Sequence, residues 1–134
     1  MRIMGHNLLA ILVAAIVIYL LEYVIFAVLI PGEQYMAMTG LSAEQGEASM
    51  GRMPFGIVMP VLTAIGLSLA IKWHAAAGLA GGVRTALLMA VLFAFSTSMY
   101  SYVYGAHTEQ FMLVNLGHFL VCYGAAGAII GAWK

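Results

Sequence analysis

Only 7% of the 134 residues are charged, 64% are hydrophobic, and the formal net charge is zero. Soluble domains carry about 25% charged residues, so water cannot solvate most of this surface, and a chain without basic excess offers no footprint for nucleic acid. The single cysteine, Cys122, excludes an internal disulfide and any multi-cysteine metal site, and the only acids are Glu22, Glu33, Glu44, Glu47 and Glu109.

Four apolar runs follow in chain order. The first covers about 8–30 and is stopped by Pro31-Gly32; the others cover about 53–71, 85–104 and 111–133. Each is close to the ~20 residues that a helix needs to cross hydrocarbon. Lipid offers no partner to an unpaired backbone group, so all four are expected to be helices. A cleaved leader is disfavoured for the first run, which is too long and has no A-x-A site after it.

Between the first two runs, LSAEQGEASM has the form of a short helix with Ser42 as N-cap and Gln45 as its capping-box partner. The turn GAHTEQ is tight, so the third and fourth runs are antiparallel neighbours, with Thr108 as the N-cap of the fourth. Without repeats or linkers, residues 1–134 read as a single all-α domain, a four-helix transmembrane bundle. Arg2, Lys72, Arg84 and Lys134 fall on one side of it and only Arg52 on the other. The positive-inside rule then makes both termini cytoplasmic and turns the 31–52 loop outward.

The polar residues inside the runs are the functional signal. At 1.5 Å per residue, Glu22 and His118 lie about 12 Å and about 10 Å below the outer ends of their helices, and Thr97 and Pro60 come out near ~10 Å too. The inner half reads as nearly featureless. Tyr19, Glu22, Tyr23 and Phe26 share a stripe of the first helix; Ser96, Thr97, Tyr100 and Tyr104 share one in the third; Asn115, His118 and Cys122 share one in the fourth. Polar stripes in membrane helices face the bundle interior. The expected site is therefore an outward-facing intramembrane pocket lined by Tyr19, Glu22, Thr97, Tyr100, Asn115 and His118. Each residue also has a structural role open to it. Hydroxyls bond their own helix, tyrosines pack, and His118 can serve a neighbour. A carboxylate such as Glu22, costing roughly 2.5 to 3.5 kcal/mol at a helix centre, is the hardest to explain away.

Ten methionines raise the question of Cu(I), with Met36-x-Met38 and Met50-x-x-Met53 at workable spacing. Methionine also fills apolar gaps, and no clustered histidines or paired cysteines accompany it, so no metal and no cofactor are expected. Gly117, Gly124 and Gly131 recur every seven residues, and Gly127 completes Gly127-x-x-x-Gly131. Such a stripe lets backbones approach closely. It fits packing within one bundle, or the interface of a homodimer or larger membrane complex, and the dimer is the expectation.

EQYMAMTGLSAEQ and the closing NLGHFLVCYGAAGAIIGAWK resemble a widespread family of small bacterial four-span membrane proteins, catalogued as a domain of unknown function. Its pattern has a tryptophan-tyrosine pair, a loop aromatic and a small-residue-rich last span ending in Ala-Trp. Glu22-Tyr23 stands at the place of the aromatic pair, and Tyr35-Met36 near the loop aromatic. The resemblance implies four spans and a multi-pass protein of the inner (cytoplasmic) membrane; it supplies no catalytic residues. The leading functional expectation is a non-enzymatic protein whose pocket takes a small or lipidic ligand or serves complex assembly. The alternatives are a small dimeric proton-coupled transporter using Glu22, and an intramembrane enzyme using Glu22 and His118.

Overall fold

The computed structural model describes residues 2, 3 and 5–133. A two-residue antiparallel pair, β1 (Arg2–Ile3) and β2 (His6–Asn7), opens the chain. Six helices follow: α1 (Leu8–Leu29), α2 (Gly32–Thr39), α3 (Ala43–Met50), α4 (Met53–Trp73), α5 (Gly78–Val103) and α6 (Glu109–Ala132). Four of them, α1, α4, α5 and α6, are long and apolar enough to cross a membrane. The protein is a multi-pass membrane protein of all-α class, as its composition requires. Of the basic residues used to orient it, Lys134 lies outside the described residues.

The helix ends follow local chemistry. Asn7 caps α1, its side chain accepting from the Leu9 and Ala10 amides. Ile30, extended before Pro31, ends it. Ser42 and Gln45 form a reciprocal capping box on α3, and Thr108 accepts from Phe111 N at the start of α6. In α4, Met53–Ile57 is a 3₁₀ turn and the α-helix starts at Val58. Pro60 therefore falls in the first α-turn, where a missing N–H leaves no bond unmade.

Helix α5 starts at Gly78, well before the expected boundary at Thr85. Glycine-rich sequence reads as a turn, but here it serves close approach. A Cβ on Gly82 would collide with the Gly127 carbonyl and come within 2.8 Å of Gly131 Cα. The α5–α6 seam is the most extensive helix contact in the bundle.

Most of the tight packing lies toward the terminal end, where β1, β2 and the C-terminus sit. Ala14, Ala15 and Ile18 of α1 meet Ala64, Leu67 and Ile71 of α4, with Ala86, Cys122, Ala126 and Ile130 completing the core. Outward-facing Leu9, Leu12, Ile16 and Leu20 remain exposed and are solvated by lipid. The terminal half is not the featureless region expected from sequence. His6 Nδ1 pairs with Ser68 Oγ at 2.8 Å, His74 Nδ1 with Thr85 Oγ1 at 2.9 Å, and Asn7 Nδ2 donates to the Trp133 carbonyl. These bonds join residues from different elements, and depth counting along single helices does not reveal them.

Candidate functional site

At the opposite, loop end the bundle opens. Met53–Ile57 of α4 buries no residue, and between α1, α4 and α6 lies a cavity of about 600 Å³. Small-molecule sites occupy roughly 300–1,000 Å³. From α1, Tyr19, Glu22, Tyr23 and Phe26 line it; from α6, Asn115, His118, Phe119, Cys122 and Tyr123 do. Met53, Gly56, Met59 and Thr63 supply the α4 wall, and Tyr35 of α2 covers the loop side.

At the heart of the cavity, His118 Nε2 stands 3.4 Å from Glu22 Oε1, the two side chains being 10% and 25% exposed. That distance falls within ion-pair range, but the geometry is not that of a hydrogen bond. Both ring nitrogens of His118 are buried without a hydrogen-bond partner. Leaving a buried polar group unpaired costs about 1–3 kcal/mol, so the imidazole is poised for a partner that the chain does not supply.

Aromatic rings enclose the pair. Phe26 meets His118 edge-on at 5.0 Å between centroids, and the Phe119 ring lies 4.9 Å from the imidazole. Phe26, Tyr35 and Phe111 form a triangle with sides of 6.0, 6.3 and 5.7 Å. Tyr35 is held there because α2 is docked: the Met38 carbonyl accepts from both the amide and the hydroxyl of Thr108, and Met38 is buried.

Toward lipid the cavity is unshielded. Tyr19 and Tyr23 on α1, and Met53 and Met59 on α4, are 44–69% exposed. These lining residues put the α1 and α4 sides of the cavity at the bundle surface. Toward the terminal end, Ile18 and Cys122 close it, each 1% exposed.

Four of the six residues expected in the pocket are thus together: Tyr19, Glu22, Asn115 and His118. Thr97 and Tyr100 are not, and this corrects the expectation. Both are exposed, and Tyr100 leans on Tyr104 at 6.0 Å. The cause is a π-helical stretch over Ala90–Phe95. Its wider i→i+5 turn rotates the residues beyond it by about 100° relative to a continuous α-helix. The face that carries Ala86 and Ala90 into the core is therefore not continued by Thr97. A second π stretch, Val24–Leu29, begins just beyond Glu22; such turns recur at functional sites.

Two glycines of the stripe have partners within the chain. A Cβ on Gly127 would lie 2.5 Å from Ala86 Cβ, and one on Gly131 2.6 Å from the Gly78 carbonyl. Gly127 and Gly131 are therefore spent on packing within the chain. Gly124 lies close to Leu87, and Gly117 alone has nothing within 4 Å. Among the described residues, no group of three His, Cys, Asp or Glu side chains gathers as a metal site.

Several lining residues were missed by sequence reasoning. Phe111 continues the spacing 111, 115, 118, 122 and could have been found from it. Phe119 and Tyr123, four residues apart on the adjoining face, fall outside the polar stripe that sequence reasoning followed. Tyr35 arrives from a separate helix and carries no periodic signal.

Residues 9–131 match DUF1761, a family described as a protein of unknown function. The chain belongs to the DUF1761 family. Neither a curated protein nor a solved structure matches it. The family assignment covers all but the first residue of α1 and the last residue of α6 among the four long apolar helices, and assigns no activity to the cavity.

Proposed function

We propose that this DUF1761 protein is a non-enzymatic ligand-binding protein of the bacterial cytoplasmic membrane, which takes up its ligand sideways from the outer leaflet. The orientation rests on the excess of basic residues at the terminal end, which places the loop end and its cavity on the outer side. One observation carries the functional reading. His118 is nine-tenths buried and without hydrogen bonds, beside Glu22, in a cavity of about 600 Å³ with a lipid-facing side. Ligand sites characteristically combine apolar walls with a few convergent polar groups.

The closed terminal side of the cavity favours binding over passage. Ile18, Cys122, Leu67 and Ala126 are packed beneath it with almost no exposure, and a carrier needs a route through that floor. The expected chemistry is capture and presentation of a lipid-borne molecule.

The test is native mass spectrometry of the protein extracted in mild detergent with its lipids retained. Wild type is expected to keep a defined bound mass. His118→Leu, with Tyr35→Ala as a second variant at the loop side, should release it while the helical circular dichroism is unchanged. A wild-type protein that carries only the bulk lipids, in the same proportions as the two variants, would remove the reading.

A further inference from the structure

We infer that the ligand is a lipophilic cation: an amphiphile whose head is an ammonium or a similarly delocalised positive charge. This rests on the reading of the cavity as a ligand site and specifies what it selects. The first ground is charge. The lining contains the Glu22 carboxylate and no lysine or arginine. With the imidazole counted neutral, its formal charge is minus one. A phosphate or carboxylate headgroup would meet a like charge there, and like charges in a poorly solvated site repel strongly. A neutral lipid would bring the carboxylate no opposite charge in a region where ionised side chains are costly.

The second ground is the wall. Tyr19, Tyr23, Phe26, Tyr35, Phe119 and Tyr123 all line the same space as Glu22. The face of an aromatic ring is the negative end of its quadrupole, and an organic cation enclosed by such faces is attracted to each. Quaternary and alkylated ammonium groups are the ligands that aromatic cages recognise. A carboxylate within the cage adds the net charge that neutral rings lack.

The third ground is access. Tyr23 of α1 and Met59 of α4 line the cavity and are exposed on the bundle surface, which makes the leaflet side its way in. A cation that reaches it from the leaflet must carry enough apolar surface to reside in lipid. Small hydrated cations do not, so the selection is for apolar body and positive head together. His118 has a positioning role in this scheme: at 3.4 Å it stands against Glu22 Oε1 on the α6 side of the cavity.

The experiment uses the full chain in lipid nanodiscs and two probes of one shape and opposite charge, tetraphenylphosphonium and tetraphenylborate, measured by equilibrium dialysis. Saturable binding of the phosphonium is expected, with no saturable binding of the borate. Glu22→Gln should weaken the phosphonium by roughly tenfold or more. The inference is overturned if the borate binds as well as the phosphonium, if Glu22→Gln retains affinity within roughly twofold, or if wild type binds neither. Should Glu22→Gln fail to fold, the comparison of the two probes on wild type still decides. A defined neutral lipid retained by wild type, together with no cation binding, would sink the charge selection and leave the ligand-site reading standing.

Discussion

Replacing Gly127 by alanine adds one methyl group to the middle of the α5–α6 seam. The new Cβ would sit 2.5 Å from Ala86 Cβ and 2.6 Å from the Gly82 carbonyl oxygen. Carbon atoms pack at about 3.5–4.0 Å, so the shortfall is about 1 Å. Neither obstacle has a rotamer to turn away, and the two helices must part or tilt. Overpacking of this kind costs about 1–3 kcal/mol, against which removing a mid-helix glycine returns roughly 0.5–1 kcal/mol. A net loss of about 1–2 kcal/mol is expected, roughly a five- to thirtyfold fall in the folded-to-unfolded ratio.

Gly117→Ala is the internal control. It makes the same chemical change on the same helix, at a position with nothing within 4 Å. It should leave stability unchanged or raise it by up to about 1 kcal/mol. Unfolding by sodium dodecyl sulfate titrated into dodecyl maltoside micelles, followed by far-ultraviolet circular dichroism, measures both. If Gly127→Ala unfolds at the same detergent fraction as Gly117→Ala, the seam is not set by backbone contact and the packing argument for the terminal half is wrong.

Thr108→Ala removes the acceptor of the Phe111 amide and one of the two bonds to the Met38 carbonyl; losing a cap of this kind costs about 1 kcal/mol. The variant should cleave faster within 31–52 under limited proteolysis, because α2 is docked through the same residue. His118→Leu removes two unpartnered buried nitrogens and should raise the stability of the ligand-free protein by about 1 kcal/mol while abolishing retention of the bound mass; a destabilised variant would mean that the imidazole has a structural partner. A reporter fused after Lys134 should be cytoplasmic and one inserted at Gly46 external, and the reverse pattern would move the cavity to the inner leaflet.

How much of this was legible in the sequence differs between the two halves of the molecule. The four crossings follow from apolar run length, and two of the three N-caps named above, Ser42 with its partner Gln45 and Thr108, follow from residue type alone. Seven of the eight span boundaries fell within two residues of those observed. The start of α5 did not, because glycine signals a turn and a close helix contact with the same letter. The Glu22 and His118 stripes were readable because each lies on regular α-helix up to the cavity. Thr97 and Tyr100 were misplaced because six residues of π-helix intervene in α5, and no propensity marks where a helix widens. Tyr35 was invisible for a different reason: its contribution depends on how α2 docks, through a bond from Thr108 seventy positions away from Met38.

The same division explains why a polar pair can survive in so apolar a chain. At the terminal end, glycine and alanine bring the helices into backbone contact, and the association is driven by dispersion and close packing rather than by hydrophobic expulsion from lipid. That half holds the bundle together. The loop half is thereby released from optimal packing: neither Met53–Ile57 of α4 nor the π-helical stretch Val24–Leu29 of α1 buries a residue, and the cavity remains unfilled. A protein selected only for stability would fill such a space with leucine and replace His118, since each unpaired nitrogen costs free energy. Local inconsistency of this kind is expected where function outweighs stability. Here it coincides with the one intramembrane carboxylate, the enclosing aromatic rings and the lipid-facing side, and that coincidence is why the Glu22–His118 pair is read as a working site rather than a packing accident.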